Sequence, residues 1–376
     1  MKKCLIIRPI SMLMAAVIVL LLMGTMTVVA DEKCGKKLTW SMNKGNLTIS
    51  GTGDMYDYAA SSSAPWGTSP KTVTLESGVT SIGNYAFSHC VDLVSVTISD
   101  TVTSIGGNAF NSCSGLTSVE IPDSVTYLGQ NAFSFCEGLK SVTISASITS
   151  IRSGAFYSCS SLESVIIPGS VSTIYGDAFS RCSSLASVTI SDGVTYIGDQ
   201  AFYRCDKLTE IRIPDSVTTI RANAFFGCSG LKNVVLGNGV ETIGTDAFFA
   251  CTGLKSITIP SSVTFIADGA FYNFGAVYSP LDITMRVYED SYAHQYAVEK
   301  GFRYELIGDS SIIRGDPDGD GEITVADALI ALRVAAKLAE PTPELLACCD
   351  IDGDGDISVA DALSILRVAA KLVDSL

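Results

Sequence analysis

Apolar residues along most of this chain return on one fixed step. Leu93, Leu116, Leu139, Leu162, Leu185, Leu208, Leu231 and Leu254 fall every 23 residues, and so do the phenylalanines from Phe87 through Phe179 to Phe271. A period of this size marks a solenoid, in which each coil buries its apolar side chains against the next. One coil, "LTSVEIPDSVTYLGQNAFSFCEG" from Leu116 to Gly138, divides into three parts. Val119 and Ile121 alternate with Ser118 and Glu120, the period of a strand buried on one face. "VTYLG" predicts a second short extended piece, and "NAFSFC" a single helical or 3₁₀ turn that carries Phe133 and Cys136 into the core. Nine coils over residues 70–274, stacked at about 4.8 Å, predict a rod about 43 Å long.

Cysteine usage sharpens this picture. Cys90, Cys113, Cys136, Cys159, Cys182, Cys205, Cys228 and Cys251 keep the same step, and the last coil puts Phe274 in that place. A column that accepts Phe for Cys is a packing column, and stacked coils hold its Cβ vectors parallel, the wrong geometry for bridges. The ladder therefore predicts buried free thiols that behave as small hydrophobes. Cys34, Cys348 and Cys349 lie outside it, with nothing to pair them. A solenoid must also close its ends. Residues 31–69, with short strand signals and "SAPWG", read as an N-terminal cap; residues 275–308, with a helix from about Ser291 to Lys300, read as a C-terminal one.

The pattern "L..V.IP..V..IG..AF..C", the leading "LTISGTG" and the trailing "SYAHQYA" resemble the BspA-like leucine-rich repeats of bacterial surface and secreted proteins, over Cys34 to about Ile307. The resemblance implies a mainly β rod with parallel sheets that binds proteins or surfaces, and it supplies no catalytic residues. The outward strand column from Ser95 to Ser256 is mostly Ser, a solvated face by itself. A sharper signal follows the ladder phenylalanines, where Tyr203, Phe226, Phe249 and Tyr272 stand in four successive coils. Exposed, they form a strip able to grip a glycan or an apolar partner; tucked under neighbouring turns, they are extra packing. Catalysis finds no support: His89 and His294 sit in no motif, and no hydrolase, zinc, phosphate-loop or dinucleotide signature occurs.

At the start, Lys2, Lys3 and Arg8 precede an apolar run from Met12 to Met23, and "VVA" precedes Asp31. Residues 1–30 thus read as a signal peptide cut after Ala30, which predicts export without lasting membrane insertion. Losing those three cations takes the formal charge from -14 to -17. A chain this acidic, with no basic stripe, is a poor partner for nucleic acid.

The tail repeats itself. "VADALIALRVAAKL", Val325 to Leu338, returns as "VADALSILRVAAKL", Val359 to Leu372. Each copy follows a twelve-residue acidic loop, "DPDGDGEITVAD" at Asp316 to Asp327 and "DIDGDGDISVAD" at Asp350 to Asp361. Calcium takes hard oxygen ligands at alternate loop positions. Here these are Asp316, Asp318 and Asp320, then Asp350, Asp352 and Asp354. Gly321 and Gly355 allow the sharp turn. The carbonyls of Glu322 and Asp356 follow at position seven, Thr324 and Ser358 at nine, and Asp327 and Asp361 close the shell at twelve. So many carboxylates would repel one another without a cation, which predicts two calcium ions.

Aspartate at position twelve, and entry to the first loop from "SSIIRG" rather than a helix, predict loops with only exiting helices. Duplicated units of this kind resemble a type I dockerin, over about Gly315 to Leu372 within a domain at 315–376. The resemblance implies a small all-α calcium-binding dockerin domain that plugs a secreted protein into a scaffoldin cohesin of a cellulosome. Cohesin contacts of that family fall here on Val325, Ala326, Leu332, Arg333 and Lys337, and on Val359, Ala360, Leu366, Arg367 and Lys371. The two sets are identical, which predicts docking in two orientations, while Val-Ala at positions ten and eleven departs from the Ser-Thr of many dockerins. Helix periodicity groups Ala328, Leu329, Leu332 and Ala336 as an apolar face. With a short link at 309–314, the chain reads as an exported cellulosome or cell-surface component in polysaccharide degradation. Its repeats meet an unknown protein, glycan or cell-wall ligand. Two other readings stay open: an enzyme or enzyme inhibitor with its active surface on the repeats, and a free calcium-binding adhesin.

Overall fold

The computed structural model describes residues 32–59, 64–274, 279–307, 315–352 and 355–371. The predicted leader at 1–30, the link at 309–314 and Asp354 lie outside them. Two columns of short parallel strands run the length of the repeats, and their pairings join residues 23 apart: Val165 with Val188 in one, Ile174 with Ile197 in the other. Strands such as Ser164–Ile167 and Glu210–Ile213 alternate exposed and buried residues, as the spacing predicts.

Between them "NAFSFC" makes tight turns instead of a helix. Ser134 N donates to Asn131 O at 3.1 Å and Cys136 N to Phe133 O at 3.3 Å. Asn131 and Phe135 stand at φ 55° and 59°, in the left-handed region, so a right-handed helix cannot propagate through them. The remaining turn amides reach the next coil: Phe133 N bonds Ala155 O at 2.8 Å and Phe135 N bonds Tyr157 O at 2.7 Å. Each coil is therefore zipped to its neighbour along its turns as well as its strands.

The core is a set of ladders. Phenylalanine rings stack from Phe87 on Phe110, at 5.1 Å between centroids, to Phe248 on Phe271 at 5.4 Å. The thiols from Cys90 to Cys251 are buried and free, as the step predicts. Phe274 departs from the expectation: it is 66% exposed, outside the thiol column, and packs edge-on to Phe249 at 4.7 Å. A ring is too large for the space a thiol fills between turns, so it turns outward.

Both ends carry the sheet further than the period does. The hairpin Leu38–Asn43 and Asn46–Gly51 pairs in parallel with Thr72–Leu75, and Thr284–Tyr288 pairs in parallel with Ser256–Ile259. The solenoid thus has about eleven coils where nine carry the 23-residue signature. A cap strand needs only a matching backbone ladder and alternating burial, not the leucine and phenylalanine columns. Trp66 closes one end by stacking on Phe87 at 5.3 Å while its Nε1 donates to Ala86 O at 2.8 Å. Helix α1, Tyr292–Lys300, covers the other, with Ser291 as N-cap and Gly301 ending it at φ 75°.

The tail holds α2 (Val325–Ala335), α3 (Pro343–Cys349) and α4 (Val359–Ala369), with α2 packed on α4. Helix α3 corrects the expectation of loops with exiting helices only: the second loop is entered from a helix. Thr342 caps it by accepting from Leu345 N, Pro343 fits its first turn, and Cys348 and Cys349 enter the core. The apolar face of α2 also differs from the periodicity. Ala328, Ala331 and Val334 are buried, while Leu329 and Leu332 are exposed at 57% and 40% and Ala336 is exposed too. Small residues allow the close approach of α2 to α4, so the leucines are left facing outward.

Candidate functional site

Each acidic loop folds onto its own first carboxylate. Asp316 Oδ1 accepts from Gly319 N at 2.8 Å and its Oδ2 from Gly321 N at 2.9 Å; Asp350 Oδ2 accepts from Gly355 N at 2.8 Å. Gly321 and Gly355 both stand at φ 91°, a turn that a side chain would strain. Bonds between residues two apart continue the first loop, from Asp320 N to Asp318 Oδ1 at 3.2 Å and from Glu322 N to Asp320 Oδ1 at 2.8 Å. These turns bring carboxylate oxygens of Asp316, Asp318 and Asp320 within 4.8 Å of one another, and likewise those of Asp350, Asp352 and Asp361.

The twelfth residues do more than close a shell. Asp327 Oδ2 accepts from Thr324 N at 2.7 Å and from its hydroxyl at 2.9 Å, and Thr324 in turn caps α2 by accepting from Ala326 N. Ser358 and Asp361 repeat the arrangement at α4. This is a capping box, legible in "TVAD" and "SVAD" and missed when those residues are read only as ligands. Asp361 Oδ1 further accepts from Ile351 N at 2.7 Å and Asp352 N at 3.2 Å. The side chain of Asp356 accepts from Ile357 N.

Charge crowding is plain in the first loop. Burial, then repulsion from Asp327 and Asp320, pushes Asp318 up to about 6, against partial relief from Arg212, whose Nη2 lies 3.4 Å away. Burial raises Asp316 as well, despite its two backbone donors. Asp361 moves the other way: burial works to raise it, but hydrogen bonds from Ser358, Ile351 and Asp352 outweigh that and lower it. Asp327 is fully buried, and its Oδ1 has no hydrogen-bond partner. A buried carboxylate oxygen without a donor, beside three crowded aspartates, fits a hard cation with oxygen ligands such as calcium.

Above the loops, Val325, Ala326, Leu332, Arg333 and Lys337 are all exposed, and so are Val359, Ala360, Leu366, Arg367 and Lys371. Lys337 and Lys371 even share a left-handed backbone, at φ 58° and 56°. Leu329 and Leu363 join the two exposed faces, an addition that helix periodicity assigns to the core. On the repeats, the aromatic column is partly packing. Phe249 is fully buried, so it belongs to no exposed strip, whereas Tyr203, Phe226 and Tyr272 are half-buried. Tyr203 stacks on Phe226 at 5.0 Å, and Phe226 on Phe249 at 4.9 Å, with Phe274 edge-on outside them.

The BspA type leucine rich repeat region matches the chain in six copies, over residues 62–186 and 149–277. The chain belongs to this repeat family. A dockerin type I domain matches residues 314–367, so the tail with its paired loops is a type I dockerin. Similar solved structures are bacterial leucine-rich repeat proteins. One from Eubacterium ventriosum is 22% identical, covering 63% of this chain and 93% of that one, with a TM-score of 0.36. Another from Bacteroides ovatus is 20% identical, covering 73% and 100%, with a TM-score of 0.36. A leucine rich cell surface protein from Faecalibacterium prausnitzii is 22% identical, covering 74% and 95%, with a TM-score of 0.35. A comparison with curated proteins finds no match. Both matched modules are non-catalytic, one for protein interaction and one for cohesin binding. No helix among the described residues is long and apolar enough to cross a membrane.

Proposed function

We propose that this protein is an exported, non-catalytic cellulosome component, held on a scaffoldin by calcium-dependent cohesin docking in either of two orientations. Its repeats would meet a protein, a glycan or the cell wall during polysaccharide degradation. The observation that carries the docking is where the two tail copies differ. Ile330 and Ser364 are half-buried and Ala331 and Ile365 fully buried, while every exposed position from Val325 to Lys337 is repeated in Val359 to Lys371. Packing alone preserves buried residues and lets exposed ones drift. Of the buried positions Ala331 alone changes, to Ile365, and no exposed position changes, as two interchangeable faces for one partner require.

Asp316, Asp318, Asp320 and Asp327, with the Glu322 carbonyl and Thr324, would hold one calcium ion. Asp350, Asp352, Asp354 and Asp361, with the Asp356 carbonyl and Ser358, would hold the other. Bound calcium supplies the positive charge that lets these carboxylates converge. The chain's own residues then set the docking faces, because Asp327 and Asp361 tie each loop to the first turn of its helix. On the rod, Tyr203, Phe226 and Tyr272 offer a second contact surface, with exposed Phe274 edge-on to Phe226.

Calorimetric titration of the mature chain against a panel of scaffoldin cohesins, with calcium and with chelator, tests this. The variants are Arg333→Ala with Lys337→Ala, Arg367→Ala with Lys371→Ala, and all four together. One-to-one binding that needs calcium, weakens only about twofold in either half-variant and disappears in the combined one is the expected result. Loss with a single half refutes equivalent faces, and no calcium-dependent binding to any cohesin refutes the attachment.

A further inference from the structure

In a repeat array, packing fixes the buried columns, so departures from the repeat at exposed positions report what the surface is used for. One such departure lies on the second column of strands. Its flanking coils carry Ser81, Ser104 and Thr242 outward, each followed two residues later by glycine, and the last coil ends the column with Phe265 and Ala267. The coils between carry Tyr127, Arg152, Tyr175, Tyr196 and Arg221 at these two positions. The Arg152 guanidinium lies over the Tyr127 ring at 4.8 Å. Beside it opens a shallow hollow of about 480 Å³, walled by Tyr175 and Tyr196, floored by Gly176 and Gly198, and rimmed by Thr173 and Asp199. The floor stays bare for a steric reason: a Cβ on Gly198 would come within 2.7 Å of the Gly176 nitrogen.

We infer that this hollow binds a neutral oligosaccharide of pyranose rings, an assignment that rests on the reading of the repeats as a binding surface. Tyr175 is 44% exposed and Tyr196 half-buried, so ring faces are available to the C–H faces of a sugar while the phenol oxygens and the Thr173 hydroxyl can bond its hydroxyls. Aromatic rings beside hydroxyls, with Ser153 also on the lining, match the mixed apolar and polar faces of a sugar. The charge is balanced: Asp199 accepts from Ala222 N at 3.2 Å and faces Arg221 Nε at 3.4 Å, which favours neither an anion nor a cation. A peptide added as a strand is ruled out, because Thr173–Ile174 and Tyr196–Ile197 are each paired on both sides. The site is open, and the tract from Tyr127 to Thr219 spans four coil steps, roughly 19 Å, room for a chain that continues past the hollow.

The test is calorimetry of the full mature chain with calcium, against cellohexaose, xylohexaose and mannohexaose, for the native protein and for Tyr175→Ala and Tyr196→Ala. The expected result is binding of at least one hexasaccharide that each substitution weakens by about tenfold or more, with far-UV circular dichroism unchanged. Failure of all three to bind more tightly than about 1 mM, or binding indifferent to both substitutions, overturns the assignment. Cohesin titration of the same samples separates the two claims. Cohesin binding without saccharide binding sinks the hollow alone, and saccharide binding without cohesin binding sinks the attachment alone.

Discussion

Each ladder thiol from Cys113 to Cys251 donates to the carbonyl of a phenylalanine in the preceding coil, at 3.1 Å from Cys113 to Phe87 and 3.2 Å from Cys251 to Phe225. Burial pushes Cys136, Cys182 and Cys228 up to about 12. The sign of the consequence follows from linkage. Unfolded thiols ionise near pH 9 and folded ones do not, so the native state binds more protons between about 9 and 12 and stability falls as pH rises through that window. Below it the thiols contribute no pH dependence. Urea midpoints between pH 8 and 11 should therefore decline, and a chain with Cys136→Ala and Cys182→Ala should decline less steeply. An equal slope in both would place the loss on other groups. Sequence alone marks these thiols as inert, because the 23-residue step is itself a statement about contacts.

At the level of elements, the phenylalanine stack joins one coil to the next. Phe156 lies between Phe133 at 5.6 Å and Phe179 at 5.3 Å and is fully buried. Phe156→Ala removes both ring contacts and leaves a cavity that the turns on either side, bonded across coils, cannot close. The expected cost is about 3–5 kcal/mol, read as a lower urea midpoint. Half-buried Tyr203→Ala should cost clearly less, and equal costs would show that the outer aromatic column is core as well. The helices show where periodicity stops being informative. Ala328, Leu329 and Leu332 all satisfy an apolar stripe, but the face that enters the core is chosen by the close packing of α2 on α4, which takes alanines and expels leucines. Helix α3 escapes the repeat for a related reason: it occurs once, so no second copy signals it.

For the whole molecule, the two modules differ in how much core they own. The repeats and caps share one continuous apolar cluster from Cys34 to Phe302, while the tail buries a small set of its own that includes Ala331, Cys349 and Ile365. A core of that size is marginal without help, and repulsion among Asp316, Asp318, Asp320 and Asp327 works against it. Removing calcium should therefore unfold residues 315–371 and leave the rod intact. Far-UV circular dichroism in chelator should lose helical signal, and limited proteolysis should cut within the tail while the repeats resist. A helical signal unchanged by chelator would show that the tail folds without metal.

By itself the sequence determined the solenoid, its step, its buried thiols, the two acidic loops and the duplicated helix, because in a coil stack residue n always meets residue n+23 and in an acidic loop the carboxylates alternate within twelve residues of chain. Such contacts are written into spacing. Tertiary structure alone decided which leucines of α2 face outward, that Phe274 leaves the thiol column, that cap strands extend the rod to about eleven coils, and that Tyr175 and Tyr196 share a hollow. Each of these depends on the volume left by a neighbouring element, and volume between elements has no period for a sequence to display.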